Sequence, residues 1–336
     1  GRAVAIESGA ARLTAAVASA SSDLALANAV VDLTAAFDEL DEESLDDDQL
    51  AELEEFYSSR IVDPANEAGL GPYTSDELLP QSEAGRWLQY HYTLRPEGDP
   101  PPVDAGDGTT YSEVNAAVTP FIEEFSASLG GGDVLLLDES GTIVYSLEKR
   151  NDVGTNLVSG PYDESALARA VTDSLPRARV GTAVLTNYTV TPTGGAALYA
   201  VSAVTSGSQV VGALAVELPV QAINAVVSSD GEWDDVGVGQ GDVYVVGVDQ
   251  TLQSEPRAWQ DDPEGYLERL RSGTEEEQQE ARLIEFFGSP VGIQVVDTEP
   301  TRAALSGEAF RGGARNDAGE ATFAASESFN VSGQQW

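Results

Sequence analysis

Apolar positions along the chain form a strand-rich pattern that occurs twice, about a hundred residues apart. Residues 132–146, GDVLLLDESGTIVYS, and residues 241–254, GDVYVVGVDQTLQS, both begin with Gly-Asp-Val, run through an apolar strand, turn at polar residues and return as a second strand. A turn and a short amphipathic helix follow each copy. Because a short hairpin cannot bury its apolar face alone, this order predicts two similar antiparallel lobes in tandem.

Two more apolar runs close each copy and predict a further strand pair. In the first lobe they cover residues 198–204 and 210–219, separated by a Ser-Gly-Ser turn. In the second lobe they cover residues 283–287 and 291–300, separated by Gly-Ser-Pro. Each lobe is therefore expected to be an antiparallel sheet flanked by helices, and the predicted fold class is α+β.

One long helix is predicted at residues 3–40. Its apolar residues recur at alternating steps of four and three, which is typical of a helix that presents one seam: Ile6, Ala10, Leu13, Val17, Ala20, Leu24, Ala27 and Val31. The seam fits a coiled coil with a partner helix and also fits packing on the chain's own body, and both alternatives stay open. An acidic bend at residues 41–48 and a second helix at residues 49–58 complete this predicted stalk.

The charge of the chain is extreme and spread along its whole length. Asp and Glu number 57 against 17 Lys and Arg, which gives a net charge of −40 over 336 residues, and Lys149 is the only lysine. Such a chain repels itself in dilute buffer, whereas at molar salt the Debye length is ~3 Å and separated carboxylates hardly interact. The composition indicates a halophilic protein. It argues against nucleic-acid binding, which needs Lys and Arg to neutralise phosphates.

Signatures of catalysis are missing from the sequence. His91 is the only histidine, there is no cysteine, and no Gly-x-Ser-x-Gly elbow occurs. We therefore predict no enzyme activity, no catalytic residue, no metal site and no cofactor. No run approaches the ~18 apolar residues of a membrane span. Because the chain begins without Met inside a helical pattern, we expect a fragment whose membrane helices lie outside it.

Aromatic residues around one arginine form the candidate ligand site. Residues 86–92, Arg-Trp-Leu-Gln-Tyr-His-Tyr, place a guanidinium, an indole, two phenols and an imidazole within two helical turns. Rings exclude water while a guanidinium binds a carboxylate, so the pattern indicates a cradle for a small carboxylate. The alternative is that the rings fill the core and the arginine lies on the surface. The predicted ligand-binding residues lie on this helix and on the strands expected to face it: Arg86, Trp87, Tyr90, Tyr92, Tyr145, Asn187, Tyr188, Tyr199 and Glu217.

Taken together, the order of elements and several short motifs resemble the double Cache (dCache) sensor domains of chemoreceptors, histidine kinases and nucleotide cyclases. The motifs are LQY at residues 88–90, VLLLD at 134–138, GTIVYS at 141–146, GTNL at 154–157, GPY at 160–162 and YVVGVD at 244–249. The resemblance covers essentially the whole chain. It implies a long N-terminal helix, two PAS-like lobes, a small-molecule ligand in the membrane-distal lobe, two flanking membrane helices, a parallel homodimer and a cytoplasmic output domain.

The expected domains are residues 1–60 for the stalk and second helix, 61–219 for the membrane-distal lobe and 220–336 for the membrane-proximal lobe. The amino-acid-sensing subtype of the family carries Arg-x-Trp-Tyr, whereas here Arg86 and Trp87 are adjacent and Leu88 follows. Glu217, near the position where that subtype has an acid, is the candidate for holding an ammonium group.

The function expected from the sequence is ligand sensing outside the cell, by a domain held at the cell membrane that passes the signal across it. The alternative is a secreted or surface-layer structural protein, which predicts a robust oligomer and no pocket.

Overall fold

The N-terminal region forms two helices where the sequence predicted one. The computed structural model describes residues 1–96, 98–175, 181–192, 194–228 and 241–336. Helix α1 (Arg2–Ala20) is followed by helix α2 (Leu24–Glu39), and the two helices are bent by 68°. The Asp23 side chain accepts the Ala25 N–H at 2.7 Å, so α2 begins with its own cap. The prediction of one continuous helix is wrong because an aspartate N-cap stabilises a new start.

The apolar seam of α1 and α2 packs on the chain's own body. Of the predicted seam, Ile6, Ala10, Leu13, Val17 and Ala27 are buried, whereas Leu24 and Val31 are 65% and 47% exposed. Leu26, Val30 and Leu33 are buried in their place, because α2 starts a new helix with its own phase. Packing on the body, one of the two alternatives for this seam, therefore accounts for these residues. Among the described residues, no single helix is long and apolar enough to cross a membrane, although the bent pair passes that test by length and composition.

Helices with well-formed caps lead from α2 to the sheet. They are α3 (Asp47–Tyr57), α4 (Asp63–Ala68), α5 (Ser75–Leu78), α6 (Glu83–Tyr92) and α7 (Thr110–Leu129), with a π-helical turn at Ser58–Val62. The side chains of Asp46, Ser82 and Thr109 accept backbone N–H groups at the starts of α3, α6 and α7. These bonds satisfy donors that a helix N-terminus leaves without a partner.

An antiparallel sheet forms the centre of the first lobe. Its strands are β1 (Val134–Leu137), β2 (Ile143–Ser146), β3 (Val184–Leu185), β4 (Thr189–Thr191), β5 (Gly194–Ser206) and β6 (Gln209–Leu218). The strand order is β2-β1-β6-β5-β3, and β4 pairs with β5. Helices and an antiparallel sheet in one chain confirm the predicted α+β class.

The two faces of this sheet contact different parts of the chain. Ser202 of β5 is hydrogen-bonded to Ser21 at 2.8 Å, so its face meets the α1–α2 junction. Side chains alternate along a strand, so Tyr199 and its cross-strand partner Glu217 lie on the opposite face. Helix α8 (Ala166–Ser174) packs against β5 and β3.

The second half of the chain is more helical than predicted. Its elements are α9 (Val220–Ser228), α10 (Arg257–Asp261), α11 (Pro263–Arg271), α12 (Glu275–Phe287), α13 (Glu299–Leu305), β7 (Phe310–Arg315), β8 (Ala321–Ser326), β9 (Asn330–Val331) and β10 (Gln334–Gln335). The strand pair predicted at residues 283–287 and 291–300 is wrong, because residues 283–287 end helix α12, while residues 291–300 have one isolated bridge at Val295 and run into α13. A capping box between Thr274 and Glu277 begins helix α12.

The repeated segment forms the same kind of turn in both halves. In the first copy the Asp138 N–H donates to the Thr142 carbonyl at 3.0 Å, and in the second the Gly247 N–H donates to the Thr251 carbonyl at 2.9 Å. In the second copy the two arms pair through a bridge between Val246 and Leu252. The same backbone bond therefore closes a five-residue turn in both copies.

A candidate ligand-binding cleft

Three of the predicted ligand-binding residues, Arg86, Trp87 and Tyr90, lie on the outer part of α6. The Arg86 guanidinium donates to the Pro80 carbonyl at 3.0 Å and lies 3.4 Å from Glu83. The indole N–H of Trp87 donates to Asp107 at 3.3 Å, and the Tyr90 hydroxyl donates to Glu52 at 3.0 Å. Trp87 and Tyr90 both contact the His91 ring, with centroids 4.4 and 5.2 Å away.

Two further predicted residues, Tyr92 and Tyr145, are buried around the single lysine. The Lys149 ammonium nitrogen lies 3.7 Å from the Tyr145 ring centroid and 5.6 Å from that of Tyr92. It donates to Asn115 Oδ1 at 2.6 Å. Burial lowers the pKa of Lys149 well below its usual value. This part of the predicted set fills the core, as the alternative interpretation held.

Asn187 and Tyr188 contact the second half of the chain. Asn187 Oδ1 accepts the indole N–H of Trp336 at 2.8 Å. The Tyr188 N–H donates to Gln253 at 2.9 Å, and its hydroxyl donates to the Pro219 carbonyl at 3.0 Å. Both residues therefore hold the two halves together.

The last two predicted residues, Tyr199 and Glu217, come together beside an arginine that the sequence prediction missed. Arg150 Nη1 lies 2.8 Å from Glu217 Oε2, and this carboxylate is cross-strand from Tyr199. Burial lowers the pKa of Arg150, but the carboxylates of Glu217 and Asp133 more than offset that effect and raise it. The guanidinium therefore stays charged.

This ion pair borders a cleft, here called the Arg150 cleft, between β4–β5 and the segment that leads into α8. Its lining residues are Arg150, Asp152, Leu157, Tyr162, Ser165, Leu167, Thr189, Thr191, Gly194, Gly195, Ala197 and Tyr199. Its cavity volume is about 30 Å³, which is room for a group of about the size of a water molecule.

Two polar atoms in the cleft are buried without a partner among the described residues. They are Oδ1 of Asp152 and the hydroxyl of Tyr162, and each side chain belongs to a residue only 6% exposed. Burial and the nearby Asp133 carboxylate raise the pKa of Asp152 to about 7, against the opposing effect of Arg150. Buried polar atoms normally have a hydrogen-bond partner, so these two atoms are available to a ligand.

The segment that carries Arg150 and Asp152 is positioned by α6. Gln89 of α6 donates to the carbonyls of Asn151 and Val153, at 2.8 and 2.7 Å, on either side of Asp152. Tyr57 donates to Gln89 in turn. The α6 helix therefore supports the cleft from behind through its buried face.

A pair of glycines allows this close contact. A Cβ added to Gly154 would lie 2.7 Å from the Gly85 Cα, and Gly154 has a φ of 78°, which favours glycine. Any side chain at either position would push α6 away from the segment.

Above about pH 7, where Asp152 is ionised, the charges at the cleft favour a cation. One guanidinium, Arg150, faces two carboxyl groups, Glu217 and Asp152, and the guanidinium is already paired with Glu217. An ammonium group beside Asp152 would lower the pKa of this carboxyl, because an opposite charge favours the ionised form. The aromatic rings of Tyr162 and Tyr199 give the site an apolar wall.

A scan against protein-family models finds no match. A search of curated proteins also finds none. Among solved structures, the chain is similar to the ligand-binding domain of the Pseudomonas fluorescens chemoreceptor CtaA in complex with L-valine, with 20% identity and a TM-score of 0.29, over 42% of this chain and 56% of that one. It is also similar to the sensor domain of the V. cholerae histidine kinase DctB, with 13% identity and a TM-score of 0.35, over 67% and 77%.

A third similar structure is the ligand-binding domain of the Campylobacter jejuni chemoreceptor Tlp3 in complex with 4-methylisoleucine, with 10% identity, a TM-score of 0.27, and coverage of 66% and 70%. The chain spans less than two thirds of the two CtaA structures, 56% and 61%. The three structures are ligand-binding or sensor domains of two chemoreceptors and a histidine kinase. At these TM-scores they carry no argument about the ligand of this chain.

Proposed function

We propose that this chain is an extracytoplasmic sensing domain of a transmembrane signalling receptor, and that it binds a small ammonium-bearing molecule in the Arg150 cleft. The observation that carries the proposal is the buried Asp152 oxygen, which has no hydrogen-bond partner among the described residues and shares the cleft with the Tyr162 hydroxyl, in the same condition. A ligand N–H group would satisfy Asp152, and Tyr162 would donate to a ligand oxygen. The proposal keeps the division into residues 1–60, 61–219 and 220–336, with the ligand in the second of these units.

The charge balance supports an amine more than the carboxylate expected from Arg86. That guanidinium is engaged by the Pro80 carbonyl and Glu83, whereas Asp152 lacks a partner at Oδ1 among the described residues. A charge-assisted hydrogen bond is worth ~2 kcal/mol, which corresponds to about 30-fold in affinity. The presence of a cleft with such atoms also favours a sensor over the structural alternative, which predicts no pocket.

A thermal-shift screen in molar KCl tests the proposal. The ligands are free amino acids, amino-acid amides, polyamines and the corresponding acids that lack the amine. A ligand present at about 100 times its Kd stabilises the folded state by ~2.7 kcal/mol, which a melting curve resolves. We expect stabilisation by amines and none by the deaminated acids.

Matched variants locate the site. Asp152→Asn keeps the shape of the side chain but removes its charge, and we expect it to weaken amine binding about 30-fold. Asp32→Asn, at an exposed position of α2, removes the same charge and should leave binding unchanged. If Arg86→Ala and Trp87→Ala abolish binding while Asp152→Asn does not, the ligand lies on the outer part of α6 and the assignment to the Arg150 cleft is wrong.

A further inference from the structure

The segment of residues 186–191 forms one wall of the Arg150 cleft and also joins it to the rest of the chain. Thr189 and Thr191 line the cleft. Just before them, Thr186 is tied to Tyr199, because its N–H donates to the Tyr199 carbonyl and its hydroxyl accepts the Tyr199 N–H, both at 2.9 Å. A change in the position of this wall therefore moves the residues that precede it.

The same segment holds the end of the chain through Asn187. The β9–β10 pair, here called the C-terminal strand pair, is closed by two backbone hydrogen bonds of 3.0 Å between Phe329 and Trp336. Trp336 is 3% exposed, and its indole N–H donates to Asn187 Oδ1 at 2.8 Å. Gln334 adds a bond to the Leu185 carbonyl at 3.2 Å. The strand pair is thus fixed to the connection between β3 and β4.

The C-terminal strand pair also contacts the first helix. The Asn330 N–H donates to Glu7 Oε1 at 3.2 Å, and β9 packs along α1. A shift of Asn187 would therefore be felt at both α1 and the end of the chain.

The weakly held part of this wall is β4, whereas Tyr188 next to it is fully buried and bonded to Gln253 and Pro219. β4 is three residues long, all of them half-buried, and its pairing with β5 is irregular between Thr189 and Thr191. Short, irregular edge pairings open at low free energy. A bound molecule that contacts Thr189 or Thr191 would therefore displace β4 at low cost.

We infer that Asn187 couples occupation of the Arg150 cleft to the C-terminal strand pair, with β4 as the element that a ligand displaces and residues 186–188 as the fixed connection between β4 and Trp336. This inference rests on the proposed function, since it gives the cleft an output. Asn187 is a positioning residue in this scheme, because it contacts Trp336 and not the ligand.

The absence of cysteine from the sequence allows a direct test. Thr191→Cys introduces one thiol into the wall, and 2-aminoethyl methanethiosulfonate then attaches an aminoethyl group to it through a disulfide, releasing methanesulfinate. This group mimics an amine in the cleft and needs no natural ligand. We measure hydrogen exchange at the Phe329 and Trp336 amides and expect a change of about fivefold, the factor that one net hydrogen bond contributes.

Variants of Asn187 test whether the change in hydrogen exchange depends on the hydrogen bond between Asn187 and Trp336. Asn187→Ala should abolish the response to modification, whereas Asn187→Asp, which keeps an oxygen that accepts the indole N–H, should retain it. The control is Ser128→Cys, at an exposed position at the end of α7, where the same modification should leave the two amides unchanged.

Two outcomes overturn the inference. One is complete modification of Thr191→Cys, shown by mass, with unchanged exchange at Phe329 and Trp336. The other is a response that persists in Asn187→Ala. The covalent probe needs no natural ligand. If it changes exchange at Phe329 and Trp336 but no natural amine binds, the proposed function is contradicted and the coupling through Asn187 is not.

Discussion

Asp152→Asn should change the stability of this protein in a pH-dependent manner. The folded state holds the Asp152 pKa at about 7, compared with 3.8 for the ordinary side chain. Between these values the folded state binds the proton that the unfolded state has lost, so the wild-type loses stability as the pH rises. Asparagine cannot ionise and escapes this loss. The variant should therefore be the more stable protein at alkaline pH.

The size of the effect follows from the two pKa values. Their difference corresponds to ~4 kcal/mol once the pH is above both. Over an accessible range, from about pH 5 to pH 8, the advantage of the variant should grow by ~2.5 kcal/mol. Glu217 and Glu255 also have raised pKa values because of burial. Both proteins contain these groups, so their contributions largely cancel in the difference.

Urea unfolding at constant molar KCl, at a series of pH values, measures this difference. Asp32→Asn is the control, and its difference from wild-type should be flat with pH. If the extra stability of Asp152→Asn stays constant with pH, or grows toward acid pH, the claim that burial raises the pKa of Asp152 is refuted. In the presence of an amine ligand, affinity for the wild-type should rise with pH up to about 7, because the ionised carboxyl is the binding form.

Three further predictions concern the support of the cleft and the surface charge. Gly154→Ala should cost ~2 kcal/mol or more of unfolding free energy, since its Cβ would lie 2.7 Å from the Gly85 Cα. The control Gly131→Ala has a φ of 81° but no atom within 4 Å of the added Cβ, and it should cost only ~1 kcal/mol. Equal losses of the two variants in urea unfolding would contradict this prediction. Gln89→Leu should cost ~2 kcal/mol by leaving the Val153 carbonyl without its partner, since the Tyr57 hydroxyl and the Asn151 carbonyl keep each other at 3.1 Å, and a loss under 1 kcal/mol would show that water replaces the amide. Raising KCl from ~0.1 M to ~2 M should raise the Tm by on the order of 10 °C, and an equal rise with sucrose would argue against charge screening.

Strands β1 and β2 of the first lobe were predictable from the sequence because they are fully buried and joined by a clear turn. β1 is an unbroken apolar run, and the Asp138 turn that follows has the chemistry of a tight bend. Helix α12 was not predictable from its apolar pattern, because the run Leu-Ile-Glu-Phe-Phe at its end is short enough to fit either a strand or a helix. The capping box at Thr274, nine residues before that run, was the signal that indicated a helix.

The candidate site was predictable only in part. Tyr199 and Glu217 were named, but Arg150 and Asp152 were not, because nothing in an Asp-rich chain marks one buried carboxylate among 57 acidic residues. The available signal was position: Lys149, Arg150 and Asp152 directly follow a buried strand, where polar side chains have to be either paired or functional. Arg86 was predicted because of its aromatic neighbours. Which face of a helix borders a pocket is decided by tertiary contacts, which the sequence does not show.

The burial of Lys149 has a practical consequence for anyone who handles this protein. Reagents that acylate lysine will find no exposed ε-amine in the native fold, since the only such group lies against Tyr145 and Asn115 at 2% exposure. Acylation at that position therefore occurs only after α7 separates from β2. Acylation of Lys149, which precedes Arg150 of the cleft in sequence, therefore reports this local opening. The rate at which Lys149 is labelled can be followed in brine by mass spectrometry.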